Sequence, residues 1–265
     1  MGIFSNSGGV LKTTLTTNLA GILSRANKVL IIDTSAQGDC MLTFGKNPDS
    51  VKLTLWDVLI DGCPAEKAIV NVSKNIDLLP SNDEMSFFEF DGILKLSKSN
   101  GVLPFLMLKE AMSSIKEKYD YILVDTPINN GLAKGSAYCF VDQVILPVQP
   151  EVSSMRGLEK SIKEINRYRW HHNPRLSILG VVATLVDHKS LLHKQGLQNI
   201  SQFCEHKGVH FFNQSIRQSI LFASSVAYEG VPSSLSANSS IESIQYFELF
   251  MEIEEKYKGR AELCY

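Results

Sequence analysis

Short apolar runs alternate along the chain with longer stretches that have a helical period. Runs such as "KVLIID" and "YILVD" are almost continuously apolar and end in an acidic residue. This form is typical of strands in a parallel sheet that helices cover on both faces. The predicted strands are Gly2–Ser5, Lys28–Asp33, Asn75–Leu79, Tyr121–Asp125, Gln143–Val148, Leu176–Leu185 and Val209–Phe212. The predicted helices are Thr13–Ser24, Leu103–Lys118, Arg156–Arg169, Leu191–Lys207 and Ile241–Lys256.

The order of these elements predicts an α/β fold with one doubly wound, mostly parallel sheet. The chain has 265 residues, a length that one large domain accommodates. There is no internal repeat and no linker-like run, and the polar segment Ser233–Ser240 fits a surface loop before the last helix. We therefore predict a single domain over residues 1–265.

Composition excludes several classes of protein. The longest apolar runs are too short to span a bilayer, and prolines interrupt them. The five cysteines form no C-x-x-C motif, so we expect free thiols in a reducing cytoplasm rather than a zinc site or a disulfide framework. The net charge of −2 does not indicate nucleic-acid binding, and any DNA contact needs a local basic patch.

The segment "SGGVLKTT" lies between the first predicted strand and the first predicted helix. A glycine-rich turn at this place directs backbone N–H groups at an anion, and the helix dipole adds to the attraction. Lys12 would reach the β- and γ-phosphates, and the Thr13 hydroxyl would bind magnesium. The alternative is a glycine-rich turn with a solvated lysine, because Asn6 and Leu11 replace the glycines of the strict G-x-x-x-x-G-K-T pattern. The predicted nucleotide contacts are Gly8, Gly9, Val10, Leu11, Lys12, Thr13 and Thr14.

Two aspartates end apolar strands that come later in the chain. Asp33 ends "VLIID" and Asp125 ends "YILVD", which resembles a Walker B strand. Ligands of doubly wound sheets lie at the carboxyl ends of the strands, so these carboxylates should face the loop. We predict ATP and Mg²⁺ as cofactors, with Thr13, Asp33 and Asp125 at the metal and Lys12, Asp33 and Asp125 as the catalytic residues.

The sequence resembles the ParA/MinD family of deviant Walker ATPases from Met1 to about Pro232. "GGVLKTTLTTNLAGIL" is similar to the family motif K-G-G-V-G-K-T-T and its helix, and "KVLIIDTSAQGD" to V-L-L-I-D-x-D-P-Q-G-N. "NIDLLPSND", "YDYILVDTPINNG", "VDQVILPVQPE" and "SIRQSILFA" are similar to later blocks.

The resemblance implies the P-loop NTPase type of fold and an ATP-dependent homodimer that sandwiches the nucleotide. It also implies non-specific binding to nucleoid DNA and a cytoplasmic, nucleoid-associated location. A ParB-like or McdB-like adaptor would link the protein to its cargo, which in this family is a plasmid, a chromosome or a carboxysome.

Several positions depart from the family pattern. The family's signature lysine, which reaches the partner's phosphates across the dimer, is Ser7 here, and the second aspartate of the D-x-D block, which orients the attacking water, is Ser35. A missing cation and a missing carboxylate predict ATP hydrolysis that is weak or depends on a partner. The alternative is a pseudo-ATPase that senses nucleotide without turnover. The other departures are Leu11, Ala36, Asp39 and Ile128.

The McdA branch of the family also lacks the signature lysine and uses a basic residue from elsewhere. For a cation that acts across the dimer we nominate Arg156 and then Lys160, at the start of a predicted helix. The alternative is that Arg156 is a solvated helical arginine.

A cluster of basic residues near the end of the predicted helix Arg156–Arg169 is the candidate DNA surface. Its cations also fit a structural role at a helix C-terminus, and we expect Trp170 to be a core or interface residue. The last helix carries an acidic face, which argues against a MinD-like membrane partner. The candidate DNA contacts are Arg167, Arg169 and Arg175, with Lys189, Lys194 and Arg217 expected to join them in space.

Overall fold

The computed structural model describes residues 1–98, 103–151, 154–219, 221–237 and 241–261. In these ranges the strands are β1 Gly2–Ile3, β2 Val29–Asp33, β3 Val70–Ser73, β4 Ile76–Leu79, β5 Tyr121–Asp125, β6 Gln143–Val148 and β7 Ser177–Ala183. The helices are α1 Lys12–Leu23, α2 Asp39–Thr43, α3 Ala65–Ala68, α4 Phe88–Lys98, α5 Met107–Ala111, α6 Leu132–Phe140, α7 Ser154–His171, α8 Leu191–Lys207, α9 Leu221–Glu229 and α10 Ile241–Ala261.

The strands form one sheet in the order β3-β4-β2-β5-β1-β6-β7. All neighbouring pairs are parallel except β3 with β4. Helices pack on both faces of the sheet and enclose two apolar clusters. The prediction of a doubly wound, mostly parallel sheet is therefore confirmed.

Strand register brings the ends of the central strands together. Ile3 of β1 and Asp33 of β2 both pair with Asp125 of β5, so three consecutive strand ends lie side by side. The segment that follows β1 and the two acidic strand ends consequently share the carboxyl edge of the sheet. This edge is where ligands of doubly wound sheets lie.

Two predicted elements differ in the structure. Leu103–Lys118 is broken into the 3₁₀ turn Pro104–Leu106, helix α5 and a second 3₁₀ turn. After α5 the Ser113 amide donates to the Glu110 carbonyl, three residues back, so the α-helical ladder does not continue. Val209–Phe212 makes only one parallel bridge to β7, at Phe211.

Segment 233–235, which the sequence predicts to lie in a surface loop, is partly buried. Ser233 and Ser234 are buried and lie in a 3₁₀ turn. The Ser233 hydroxyl and the Ser234 amide both donate to Oδ1 of Asn18 in α1. The rest of the predicted loop includes residues 238–240, which lie outside the described residues.

Candidate nucleotide and metal site

The phosphate loop is residues 5–11, which connect β1 to α1. Gly9 and Leu11 have left-handed backbones, with φ values of 67° and 61°, and α1 begins directly after Leu11. In the described part of the chain the amides of Gly8 and Gly9 have no hydrogen-bond partner, and both glycines are exposed. The loop therefore presents free N–H groups at a helix N-terminus, which is the arrangement that binds phosphate.

The ammonium group of Lys12 lies inside this loop, where its Nζ donates to the Ser7 carbonyl at 3.5 Å. Burial lowers the pKa of Lys12 from its ordinary value, and the charge of Asp125 partly opposes that shift. The lysine is thus partly desolvated and close to an acidic strand end. This environment strengthens its attraction to a phosphate group.

Asp125 is buried at the end of β5 and accepts hydrogen bonds from α1. Thr13 Oγ1 donates to its Oδ2 at 2.6 Å, and Thr16 Oγ1 donates to its Oδ1 at 3.3 Å. Burial raises the pKa of this carboxyl group, while the Thr13 hydrogen bond and the Lys12 charge lower it. Thr13 and Asp125, which the sequence predicts together at the metal, are in direct contact.

Asp33 uses both carboxyl oxygens to hold the loop that follows β2. The Ser35 amide donates to Oδ1 at 2.9 Å, and the Cys40 amide donates to Oδ2 at 3.1 Å. Burial, and then the charge of Asp125, raise the pKa of Asp33. The geometry therefore gives Asp33 an anchoring role in this conformation as well as a place near the metal ligands.

The residues present fit a magnesium ion. Ligand atoms of Asp33, Cys40 and Asp125 lie within 4.8 Å of one another, and all three residues are buried. Two carboxylates beside the Thr13 hydroxyl are the oxygen donors that Mg²⁺ prefers. Burial raises the pKa of Cys40, so its thiol stays protonated and is a poor ligand for this hard cation. Cys40 is absent from our sequence prediction, although it stands directly after "AQGD".

The two serines that stand where the family pattern has a lysine and an aspartate, Ser7 and Ser35, make local contacts. The Ser7 amide donates to the Ser5 hydroxyl, and the Ser7 hydroxyl faces the Cα of Gly157, where an added Cβ would lie 2.9 Å from it. The Ser35 hydroxyl accepts from the Gln37 amide at 3.2 Å. Neither serine brings a charge to the site.

A buried lysine that the sequence prediction missed lies beneath the phosphate loop. Lys134 of α6 is 1% exposed, and its Nζ donates to Asn6 Oδ1 at 2.7 Å, to Asn130 Oδ1 at 3.0 Å and to the Ser5 carbonyl at 3.3 Å. Glu164 Oε2 of α7 lies 3.7 Å from the same nitrogen. Burial lowers the pKa of Lys134 to about 8. The one signal in the sequence was a lysine in the otherwise uncharged helix "LAKGSAYCF".

Helix α7 completes this polar network, which we call the loop anchor (Asn6, Asn130, Lys134, Ser161 and Glu164). Asn6 Nδ2 donates to Ser161 Oγ at 3.0 Å and to Glu164 Oε2 at 3.2 Å. Asn130 Nδ2 donates to Glu164 Oε1 at 2.7 Å. The loop anchor therefore fixes the first residues of the phosphate loop to both α6 and α7.

The nominated trans-acting cations lie on the first turns of α7. Arg156 and Lys160 are both exposed, and Arg156 precedes Gly157, which packs against Ser7. The structure thus puts the first turn of α7, which carries Arg156, next to the position that has lost the family lysine. Its action across a dimer stays a prediction.

The candidate DNA contacts are exposed but lie at opposite edges of the sheet. Helix α7 runs from the carboxyl end of β6 back to the amino end of the parallel strand β7, so it ends at the edge of the sheet where the strands begin, the amino edge. Arg175 lies in a groove at this edge together with Met1. Arg217 bridges to Val186 after β7 and therefore lies at the carboxyl edge with Lys189. The expectation that all six join one cluster is wrong for this reason. The amino-edge group is Arg167, Arg169 and Arg175, and the carboxyl-edge group is Lys189, Lys194 and Arg217.

Of the two alternatives predicted for Trp170, a core or an interface residue, the structure contradicts the first, and the second stays a prediction. The side chain of Trp170 is 84% exposed in this chain, near the end of α7 and beside the amino-edge cations. Helix α10 supplies an acidic side chain to the fold, because Glu252 accepts from the amides of Asn213 and Gln214. Within the described ranges, no helix is long and apolar enough to cross a membrane.

Comparison with known proteins identifies relatives of this chain. Residues 1–178 match the family model described as an AAA domain. A ParA family protein of Mycoplasma pneumoniae is 28% identical over 263 residues, which cover 94% of each chain. The chromosome partitioning protein ParA of Caulobacter vibrioides is 30% identical over 204 residues, covering 76% of this chain and 74% of that protein.

A solved structure has a similar fold over nearly the whole chain. The ATP complex of an McdA variant from Cyanothece superposes with a TM-score of 0.80 at 21% identity, covering 98% of this chain and 95% of that chain. At this identity the likeness concerns the fold.

Proposed function

The chain belongs to the ParA/MinD family of partition ATPases, and from that premise we propose that it is an ATP- and Mg²⁺-dependent positioning protein. The observation that carries the proposal is the contact between Thr13 and Asp125 at the mouth of the phosphate loop. Lys12 lies within the same loop, and Asp33 is the neighbouring strand end. These residues supply the charges and donors that a magnesium nucleotide requires.

Each residue has a distinct role in the proposed binding. The amides of Gly8 to Leu11 and the Lys12 ammonium contact phosphate oxygens, with Thr14 beside them in the first turn of α1. The hydroxyl of Thr13 and the carboxylate of Asp125 hold Mg²⁺, and Asp33 lies beside them at the end of the neighbouring strand. A cavity of about 610 Å³ at the same edge, lined by Asp187 and Arg217 among others, is the place for the base.

Nucleotide binding is tested with a fluorescent ATP analogue and the variant Lys12→Gln. We expect binding with Mg²⁺ by the natural chain and a loss of at least about tenfold in affinity for the variant, since a charge-assisted phosphate contact is removed. Lys67→Gln, an exposed change on α3, is the matched control and should bind normally. Equal affinity of the two variants would overturn the proposal.

Hydrolysis is proposed to be weak or dependent on a partner. Ser7 and Ser35 bring no charge to the site, and Asp33 already accepts two backbone hydrogen bonds. In a nucleotide-sandwich dimer, Arg156 or Lys160 from the facing copy would supply the missing cation. Phosphate release should therefore be slow for the chain alone, rise when the copies associate, and fall in Arg156→Gln.

The proposed cellular role is to distribute a plasmid, chromosome or carboxysome cargo over nucleoid DNA. The exposed cations give a non-specific phosphate-binding surface, and a ParB-like or McdB-like adaptor would trigger release. Two ParA family relatives support this role. Gel shifts with duplexes of unrelated sequence, with and without ATP and Mg²⁺, test the DNA step, and an absence of ATP-dependent binding would remove it.

A second candidate is a pseudo-ATPase that senses nucleotide without turning it over. The loss of charge at both Ser7 and Ser35 favours this alternative. Phosphate release in the presence of DNA and adaptor distinguishes the two functions. Stimulated turnover that Lys12→Ala abolishes would exclude the pseudo-enzyme.

A further inference from the structure

A cavity of about 400 Å³ lies between α6 and the C-terminal half of α7, separate from the mouth of the phosphate loop. Its volume is within the range of small-molecule sites, which is roughly 300–1,000 Å³. The exposed Arg167 of α7 is among its lining residues. Its residues play no part in the nucleotide contacts proposed above, apart from those of the loop anchor.

Aromatic rings form much of the wall. The rings of Phe105 and His172 lie 4.6 Å apart between centroids, and those of Tyr138 and Tyr168 lie 5.0 Å apart. Tyr168 and His172 join the two pairs, with their ring centroids 5.6 Å apart. Such a wall favours a planar ring, which can stack or make edge contacts with several of these side chains.

The polar groups of the cavity favour an anion. Arg167 makes no ion pair or hydrogen bond with any residue that the structure describes, so its guanidinium group is available. Glu164 also lines the cavity, but its oxygens already accept from Asn6 and Asn130, and Oε2 forms an ion pair with Lys134 at 3.7 Å. Tyr138 is 1% exposed, and its buried hydroxyl has no partner among the described residues. Because that hydroxyl is shielded from solvent in this conformation, the anionic group of a ligand would pair with Arg167 rather than with Tyr138.

We infer that this cavity binds a small planar aromatic molecule that carries a carboxylate or similar anionic group. The ring would lie against the aromatic wall, with the anionic group paired to Arg167. Three residues of the cavity wall, Asn130, Lys134 and Glu164, belong to the loop anchor that holds Asn6. A ligand there would therefore also change the affinity of the phosphate loop for nucleotide, a step that rests on the proposed function.

The probe is 2-naphthoate, titrated into the full chain without nucleotide and followed by saturation-transfer NMR and calorimetry. Cyclohexanecarboxylate tests the need for an aromatic ring, and 2-naphthamide tests the need for the charge. We expect naphthoate to bind at least about tenfold more tightly than either control. Equal binding of the three compounds, or no binding of naphthoate at millimolar concentration, would overturn the inference.

Matched variants locate the bound probe. Arg167→Gln and Phe105→Leu should each weaken naphthoate binding about tenfold. Lys163→Gln, exposed one turn earlier on α7, and Lys12→Gln, in the phosphate loop, should leave it unchanged. A loss only in Lys12→Gln would assign the probe to the nucleotide site and reject the cavity. Because this titration contains no ATP, its outcome is independent of whether the proposed ATPase function holds.

The coupling step has its own readout, which is the affinity for the fluorescent ATP analogue with and without saturating naphthoate. We expect a change of several-fold that Arg167→Gln removes. An unchanged affinity in a chain that binds both molecules would refute the coupling while leaving the cavity site in place.

Discussion

The ammonium group of Lys134 donates a hydrogen bond to Oδ1 of Asn6, 2.7 Å away, and so joins α6 to the phosphate loop across 128 residues of sequence. The same nitrogen lies 3.7 Å from Glu164 of α7. A buried cation requires such partners, because burial without them is strongly unfavourable. The phosphate loop is therefore held by a polar network as well as by the sheet.

Lys134→Met should destabilise the protein, since it leaves Asn6 and Asn130 without their shared donor and Glu164 without its ion pair. We expect the free energy of unfolding in urea to fall by about 3 kcal/mol, as when one partner of a buried ion pair is removed. Lys163→Met is the control, because that lysine is exposed and should change stability by less than about 0.5 kcal/mol. Similar losses in both variants would argue against the loop anchor.

Stability without metal should fall as the pH rises. Burial raises the pKa of Asp33 above its ordinary value of 3.8, so the folded state favours the protonated carboxyl group. That contribution is complete below the ordinary value and is lost as the pH rises through the raised one. We expect the free energy of unfolding in EDTA to be lower at about pH 8 than at about pH 5, with Mg²⁺ reducing the difference. Asp125→Asn should show a smaller effect of both pH and Mg²⁺.

Restoring a carboxylate at position 35 should increase turnover. Ser35→Asp places a charged acceptor at the position that resembles the family's water-orienting aspartate, and we expect phosphate release to rise at least about tenfold. Adding Ser7→Lys should raise it further by supplying a cation for the developing phosphate charge. Ser97→Asp on α4 controls for the added charge alone. If neither variant hydrolyses ATP faster than this control, the two serines are not the reason for weak hydrolysis.

Leu11 has a backbone conformation that costs an ordinary residue about 1–2 kcal/mol, with φ at 61°. Leu11→Gly and Leu11→Ala lose the same packing against the core, but glycine alone relieves the backbone strain. We therefore expect the glycine variant to be more stable than the alanine variant by about 1 kcal/mol in chemical denaturation. An alanine variant of equal or greater stability would show that position 11 is unstrained.

DNA binding should depend mainly on the carboxyl-edge cations, because they lie on the nucleotide side of the sheet. Lys194→Gln, which lies outside the proposed base cavity, should reduce the slope of log affinity against log salt by about 1, measured with ATP and a non-specific duplex. Arg175→Gln is the matched control at the amino edge, where Nε of Arg175 already lies 3.4 Å from Asp142. The opposite result, with only Arg175→Gln losing binding, would assign the DNA surface to the amino edge.

Much of the fold could be predicted from the sequence because buried parallel strands are continuous apolar runs. Tyr121–Asp125 and Gln143–Val148 have the bounds that their patterns predict. Strand β3 was missed because Val70–Ser73 is short and only half-buried at the sheet edge, so its pattern lacks an apolar run. Val209–Phe212 is limited to one bridge around Val181, because the following amides of Asn213 and Gln214 donate to Glu252 of α10 instead of extending the pairing with β7.

The sequence by itself determined the glycine-rich loop, Lys12, Thr13 and the acidic ends of β2 and β5, since each of these signals is a local pattern of a few consecutive residues. The tertiary structure decided the rest. It joined Asn6 to Lys134 and Glu164 and buried Cys40 beside Asp125. It also placed the basic residues in two groups at opposite edges of the sheet. These relationships depend on which helices pack together and on the direction in which each crosses the sheet, and neither property is encoded in a local pattern of apolar and polar residues.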